Sequence, residues 1–212
     1  MPNITVDGQP IASQPGMSLL QVCLENGIFI PNLCYLKGMP EAPASCRLCF
    51  VEIEGNSDPV AACTIPADNG LVVRTDTPAV RQLQRTALQF LLSVHDIDCK
   101  NCPANKRCAL QDLAKFLKVP LKNRQLETYL KEPPIDDSHP YLTYYPNRCV
   151  LCGKCIYVCQ THTGQSPFSF AKRGFDTVIS FYGFLEDSIL ACEDCRQCAQ
   201  VCPVGALVMK SG

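Results

Sequence analysis

One cysteine pattern occurs twice in the last third of this 212-residue sequence: Cys149-x2-Cys152-x2-Cys155-x3-Cys159, and then Cys192-x2-Cys195-x2-Cys198-x3-Cys202. A single tetrahedral metal ion is closed by two C-x2-C pairs and needs no third closely spaced thiol. A cube of alternating iron and sulfide has four iron corners. Three neighbouring thiolates must wrap one face of it, and a distant fourth must close the cage. In paired runs of this spacing the fourth cysteine of each run ligates the other cluster. The pattern therefore predicts two [4Fe–4S] clusters held crosswise. Cys149, Cys152, Cys155 and Cys202 hold one; Cys159, Cys192, Cys195 and Cys198 hold the other. Pro203 follows Cys202 as the motif has it, while Gln160 stands where the first run would have proline.

The remaining cysteines fall into two further sets. Cys34, Cys46, Cys49 and Cys63 are separated by 11, 2 and 13 residues. A C-x2-C pair with two outlying thiols can give two thiolates to each iron of a [2Fe–2S] rhomb; on spacing alone a zinc ribbon competes. Cys99, Cys102 and Cys108 have gaps of 2 and 5 residues and leave one iron of a cubane without a ligand. His95, four residues before Cys99, can supply an imidazole there. A three-iron cluster, or zinc on the same four residues, is the alternative. These assignments use fifteen of the sixteen cysteines. The one left over, Cys23, lies on the apolar face of a predicted helix, where a free cysteine behaves as a small hydrophobe.

Sixteen cysteines could also make a disulfide scaffold, which requires an oxidising compartment. The first ten residues, Met1 to Pro10, have no basic region followed by an apolar stretch, so no secretion signal is expected. No apolar run reaches the length of a membrane span, and no direct membrane insertion is expected. The expectation is a cytoplasmic chain with reduced thiols. With 19 basic and 20 acidic residues the net charge is −1, which gives no footprint for nucleic acid. Neither a G-x-G-x-x-G nor a Walker loop is present, so nucleotide binding by this chain is not expected.

Residues 1–78 read as a small β-rich domain. Ile4 to Val6 and Gln9 to Ile11 flank an Asp7-Gly8 turn and predict a hairpin. Ser18 predicts the start of a short helix bearing Leu19, Leu20, Cys23 and Leu24, ended by Gly27. Phe50 to Gly55 and Leu71 to Val73 are candidate strands. In the next stretch, 79–130, a helix should start at Thr77-Pro78 and carry an apolar stripe of Val80, Leu83, Ala87, Leu88, Leu91 and Leu92 towards His95. A second should cover Cys108 to Lys118, with Leu110, Leu113 and Leu117 inward. Residues 131–140 form a proline-rich connector, and 141–212 a cysteine-rich domain. Six cations adjoin proposed ligands: Arg47, Lys100, Arg107, Arg148, Lys154 and Arg196. Most are expected to be solvated surface charges.

The first two spacings in series, with Ile30 to Leu36, Ser45 to Cys49 and Asn147 to Cys152, give this sequence a resemblance to a known family. It resembles the N-terminal region of the large iron–sulfur subunit of respiratory complex I, a layout that also opens many [FeFe]-hydrogenases. It is most similar to the small diaphorase iron–sulfur subunits (HoxU type) of NAD-reducing bidirectional [NiFe]-hydrogenases. The resemblance implies an α+β chain: a β-grasp [2Fe–2S] domain, a [4Fe–4S] segment ligated by one histidine and three cysteines, and a two-cluster ferredoxin domain. It also implies partners, namely an FMN- and NAD(H)-binding flavoprotein subunit and a catalytic subunit, a [NiFe]-hydrogenase pair above others. A relay for formate dehydrogenase or an electron-bifurcating complex is the alternative, and a zinc-stapled interaction scaffold is the reading from another class. The sequence ends ten residues past Cys202, and the expectation is that the terminal catalyst is another polypeptide. Because Cys23 is assigned to no cluster, Cys23→Ser should leave iron content and every EPR signal of the reduced protein unchanged; loss of one signal would move Cys23 into a ligand set.

Overall fold

The computed structural model describes residues 3–122, 126–164, 166–181, 192 and 195–210. β1 (Asn3–Val6) and β2 (Gln9–Ala12) form the expected antiparallel hairpin. Its turn residues Asp7 and Gly8 both have positive φ, 50° and 83°, as an Asp-Gly hairpin turn requires. α1 (Leu19–Glu25) begins at Ser18, whose hydroxyl accepts from the Gln21 N–H at 3.2 Å. β3 (Phe50–Ile53), β4 (Val60–Ala61) and β5 (Val72–Arg74) complete a sheet ordered β2-β1-β5-β3-β4. β1 and β5 are parallel, with Thr5 opposite Val72 and Val6 opposite Val73; the other pairs are antiparallel. Leu19, Leu20, Val22 and Cys23 of α1 share a core with Ile4, Val6, Ile11, Val51 and Val73 from the sheet.

α2 (Pro78–Ser93) starts where expected, with the Thr77 hydroxyl accepting from the Val80 N–H and Pro78 in the first turn. Its buried stripe differs from the apolar one. Val80, Leu88 and Leu92 are buried, Leu83, Ala87 and Leu91 are only half-buried, and Gln84 is fully buried. Gln84 donates to the Phe50 carbonyl at 3.1 Å and accepts from Arg81 at 3.0 Å. Its amide is thus satisfied while it ties α2 to β3, and burial of a paired amide costs little. α3 (Ala109–Leu117) buries Leu110, Leu113, Ala114 and Leu117 and ends at Lys118 in the left-handed region.

Further on, β6 (Leu142–Tyr144) pairs antiparallel with β9 (Leu207–Met209), and β7 (Phe168–Ala171) with β8 (Val178–Phe181). α4 (Lys154–Thr163) and α5 (Gln197–Val201) lie between these strands in sequence. The second core joins all three regions: Leu33, Cys34, Cys46 and Leu48 pack with Leu88, Leu92, α3, and Tyr144, Val150, Cys152 and Val204. The proline-rich stretch is packed too. Lys131 and His139 are buried, and the Asp136 backbone pairs with Tyr144. Among the described residues no helix is long and apolar enough to cross a membrane.

Gly205 sets the distance between the middle and C-terminal regions. Its φ is +67°, and a Cβ there would fall 2.7 Å from the Ala104 Cβ. Gly55, at φ +90°, has open space around it. Gly55→Ala should therefore cost about 1 kcal/mol, the left-handed penalty alone. Gly205→Ala should cost about 2–4 kcal/mol, because the clash is added. Thermal unfolding of the two iron-loaded variants under anaerobic conditions checks the order; equal losses would remove the close approach as the cause.

Candidate metal centre

Cys34, Cys46 and Cys49 lie on the connection between α1 and β3, and Cys63 on the single helical turn Ala62–Thr64 after β4. All four are buried. The Cys34 and Cys46 sulfurs are 3.4 Å apart, the Leu33 N–H points at Cys46 Sγ at 3.4 Å, and Cys49 is hydrogen-bonded to Cys63. A hydrogen bond from Cys46 draws Cys34 down to about 5, and one from Cys49 lowers Cys63. Cys46 and Cys49 are pushed up in turn, first by those hydrogen bonds and then by burial. Four thiolates in this space require cations among them, and an all-thiolate donor set suits iron.

The repeat builds two separate cavities, each lined by four thiols. Cys149, Cys152, Cys155 and Cys202 face one, with Tyr144, Val150, Ile179, Val204 and Leu207 as its other walls. Cys159, Cys192, Cys195 and Cys198 face the other, with Leu142, Phe168 and Met209. The first run's last cysteine thus lies with the second run, and the second run's last cysteine with the first. Burial pushes the Cys152 and Cys198 thiols up to about 12 and Cys155 upward as well. An apolar wall disfavours bare thiolates, so ionisation here also depends on metal.

The backbone meets the sulfurs with donors. The Leu151 N–H lies 3.4 Å from Cys149 Sγ, and the Ala206 N–H 3.3 Å from Cys202 Sγ. Inside four C-x2-C steps one residue is left-handed: Arg47, Leu151, Gly153 and Arg196, at φ 52°, 51°, 72° and 52°. Such turns aim successive N–H groups into one concavity, the nest that receives anions and iron–sulfur clusters. Glycine adopts this conformation freely; arginine and leucine incur about 1 kcal/mol each. Only Gly153 carries a sequence signal for it, and the other three positions escaped sequence reasoning.

The middle set is more open. Cys99 opens a single helical turn, Cys99–Asn101, and Cys108 is the N-cap of α3. Burial raises the Cys108 thiol, and negative charge on Cys102 and Cys99 raises it further. His95 follows α2 directly and is buried, with no hydrogen-bond partner for Nδ1. Burial holds its imidazole down to about 4, which leaves it neutral at pH 7, the form that ligates metal. A metal bond would satisfy an imidazole nitrogen that otherwise incurs an unmatched desolvation cost. His95 lines a groove with Leu92, Ile97, Leu121 and Leu130 that the three cysteines do not line. Among the described residues, no three His, Cys, Asp or Glu side chains converge tightly enough to hold a single metal ion.

The Cys149 cavity adjoins the first and middle sets. Ser45 donates to the Leu151 carbonyl at 3.2 Å, and the Tyr157 hydroxyl to the Gly38 carbonyl, linking the first set's loop to it. The Asp96 N–H donates to the Asn147 carbonyl at 2.7 Å, and Ala109 to Pro203 at 2.9 Å, linking the middle set. Cys23 is fully buried in the N-terminal core that also holds Cys49 and Cys63, its thiol pushed up to about 12 by burial. Of the six cations beside ligands, Arg47, Lys100, Arg107 and Arg196 are exposed, Lys154 is half-buried, and Arg148 is buried.

Three family models match in series: a 2Fe-2S iron–sulfur cluster binding domain at residues 2–78, the NADH-ubiquinone oxidoreductase-G iron–sulfur binding region at 84–120, and the ferredoxin-like domain of NADH-quinone oxidoreductase subunit 3 at 139–208. NADP-reducing hydrogenase subunit HndD of Solidesulfovibrio fructosivorans is 33% identical over 98% of this chain, and the NADH-ubiquinone oxidoreductase 75 kDa subunit of Reclinomonas americana is 31% identical over 99%. The chain spans only 36% and 30% of those relatives. A chain of the crystal structure of NAD+-reducing [NiFe]-hydrogenase in the H2-reduced state matches all of this one with a TM-score of 0.86 and 33% identity, over 88% of its own length. With a [2Fe–2S] binding domain followed by [4Fe–4S] binding regions, the chain belongs to the family of iron–sulfur electron-transfer subunits that unites the 75 kDa subunit of NADH-ubiquinone oxidoreductase with this subunit of NAD+-reducing [NiFe]-hydrogenase.

Proposed function

We propose that this chain holds one [2Fe–2S] cluster on Cys34, Cys46, Cys49 and Cys63. Three [4Fe–4S] clusters sit on His95 with Cys99, Cys102 and Cys108, on Cys149, Cys152, Cys155 and Cys202, and on Cys159, Cys192, Cys195 and Cys198. It carries electrons between an FMN- and NAD(H)-binding flavoprotein subunit and a catalytic subunit, a [NiFe]-hydrogenase pair. The observation that carries the reading is the pair of cavities in the repeat, each lined by four thiols and apolar walls. The match to a chain of an NAD+-reducing [NiFe]-hydrogenase supports the choice of partners.

When bound, each cluster supplies a site that accepts and releases one electron. The residues do the rest. Each set has at least one thiol in the shared core, which holds the distances between sites. Val150, Ile179, Val204 and Leu207 exclude water from one cavity, and Leu142, Phe168 and Met209 from the other. The N–H donors of Leu33, Leu151 and Ala206 oppose negative charge on the sulfurs and so favour reduction.

Anaerobically purified protein should be brown and contain about 14 irons per chain with matching sulfide; a colourless, zinc-rich preparation would sink the proposal. Dithionite should bleach it, whereas NADH should not until a flavoprotein subunit is added. Rapid bleaching by NADH alone would reveal a nucleotide site in this chain. His95→Ala should alter one [4Fe–4S] EPR signal and spare the [2Fe–2S] signal, and an unchanged spectrum would remove His95 from the ligands.

A further inference from the structure

Two cations are buried where the middle set meets the Cys149 set. Lys131 is 6% exposed and Arg148 is 9% exposed, and neither forms an ion pair among the described residues. Arg148 lies with its Cζ 4.1 Å from the centre of the Tyr145 ring, and its Nη1 is buried without a hydrogen-bond partner. Asn147 holds the junction together. Its side chain accepts from the Lys131 N–H at 2.7 Å and donates to the Lys131 carbonyl at 3.0 Å, and its carbonyl accepts from the Asp96 N–H at 2.7 Å. Residues 131, 147–148 and 95–96 are thereby locked side by side. Lys131 interacts electrostatically with Cys149 and with His95, and Arg148 with His95. The acidic groups nearby are Asp96, beside His95, Asp176, near Lys131, and Glu132, next to Lys131 in the chain; all three are exposed and so are screened by water.

Leaving a buried cation unpaired is costly, and proteins ordinarily pair it or do not bury it. Arg148 Nη1 is cut off from both water and a partner, and Lys131 keeps only a small opening to solvent, so negative charge placed beside the junction stabilises both. The groups available are the thiolate-bound clusters on either side, which become more negative by one charge on reduction. We propose that Lys131 and Arg148 are potential-setting residues, whose buried charges favour the reduced state of the two [4Fe–4S] clusters flanking their junction, one on the Cys149 set and one on the His95 set. Their reach falls off with distance, so the [2Fe–2S] cluster serves as an internal control. The inference rests on the cluster assignment above. It gives the two residues a function separate from holding the fold, since the Asn147 staple uses only the Lys131 backbone.

The test is an EPR-monitored redox titration of the full iron-loaded chain. Lys131→Met keeps the aliphatic stem and the backbone staple while removing the charge, and Arg148→Gln does the same for the second cation. In each, the reduced-to-oxidised ratio of the two flanking clusters, read at the wild-type midpoint, should fall about tenfold. The [2Fe–2S] ratio should stay put. Lys131→Arg and Arg148→Lys should keep wild-type ratios. Full iron content with unmoved ratios in Lys131→Met and Arg148→Gln would overturn the proposal alone, as would an equal shift of all clusters. Iron loss as large in Lys131→Arg as in Lys131→Met would reduce Lys131 to a structural part and overturn it too. A wild-type chain without [4Fe–4S] signals would overturn the cluster assignment, and the proposal with it.

Discussion

Everything in this chain turns on placing anionic sulfur where water cannot solvate it. A thiolate facing Val150, Val204 and Leu207 is disfavoured until a cation neutralises it, and the metal-binding loops are organised to make that exchange favourable. Left-handed residues inside the C-x2-C steps turn N–H groups inward at a conformational cost. On the proposed assignment, metal–thiolate bonds offset that cost, and the clusters have no site without these turns.

Much of the scaffold was legible because it is specified locally. The Asp7-Gly8 turn, the Ser18 and Thr77 caps and Pro78 each act within three residues of themselves, and each element begins where these residues put it. The elements that were missed depend on distant partners. β6 and β9 are three residues each, joined by register between Leu142 and Met209, and three residues carry no usable periodicity. Gln84 was hidden for a related reason: its burial is explained only by the Phe50 carbonyl from another element.

The metal centre divides along the same line. Cysteine spacing is a local property, so the grouping of thiols could be proposed from the chain alone. Arg47, Leu151 and Arg196 are left-handed only because of what surrounds them, and no residue type announces that. Lys131 sits in a stretch whose prolines suggested a connector, yet Asn147 grips its backbone from both sides and draws it into the core. Composition describes a segment's intrinsic preference, while the hydrogen bonds it finds decide where it lies.

The parallel pairing of β1 with β5 has a consequence for how the protein is made. Those strands are sixty residues and more apart, and Cys34, Cys46, Cys49 and Cys63 all lie between them in the chain. On the ribosome, every one of these thiols emerges before the strand that closes the sheet. The N-terminal unit therefore passes through an interval in which its sulfurs are free and its scaffold is unfinished. During that interval these sulfurs meet solvent, because the fold that later shields them does not yet exist.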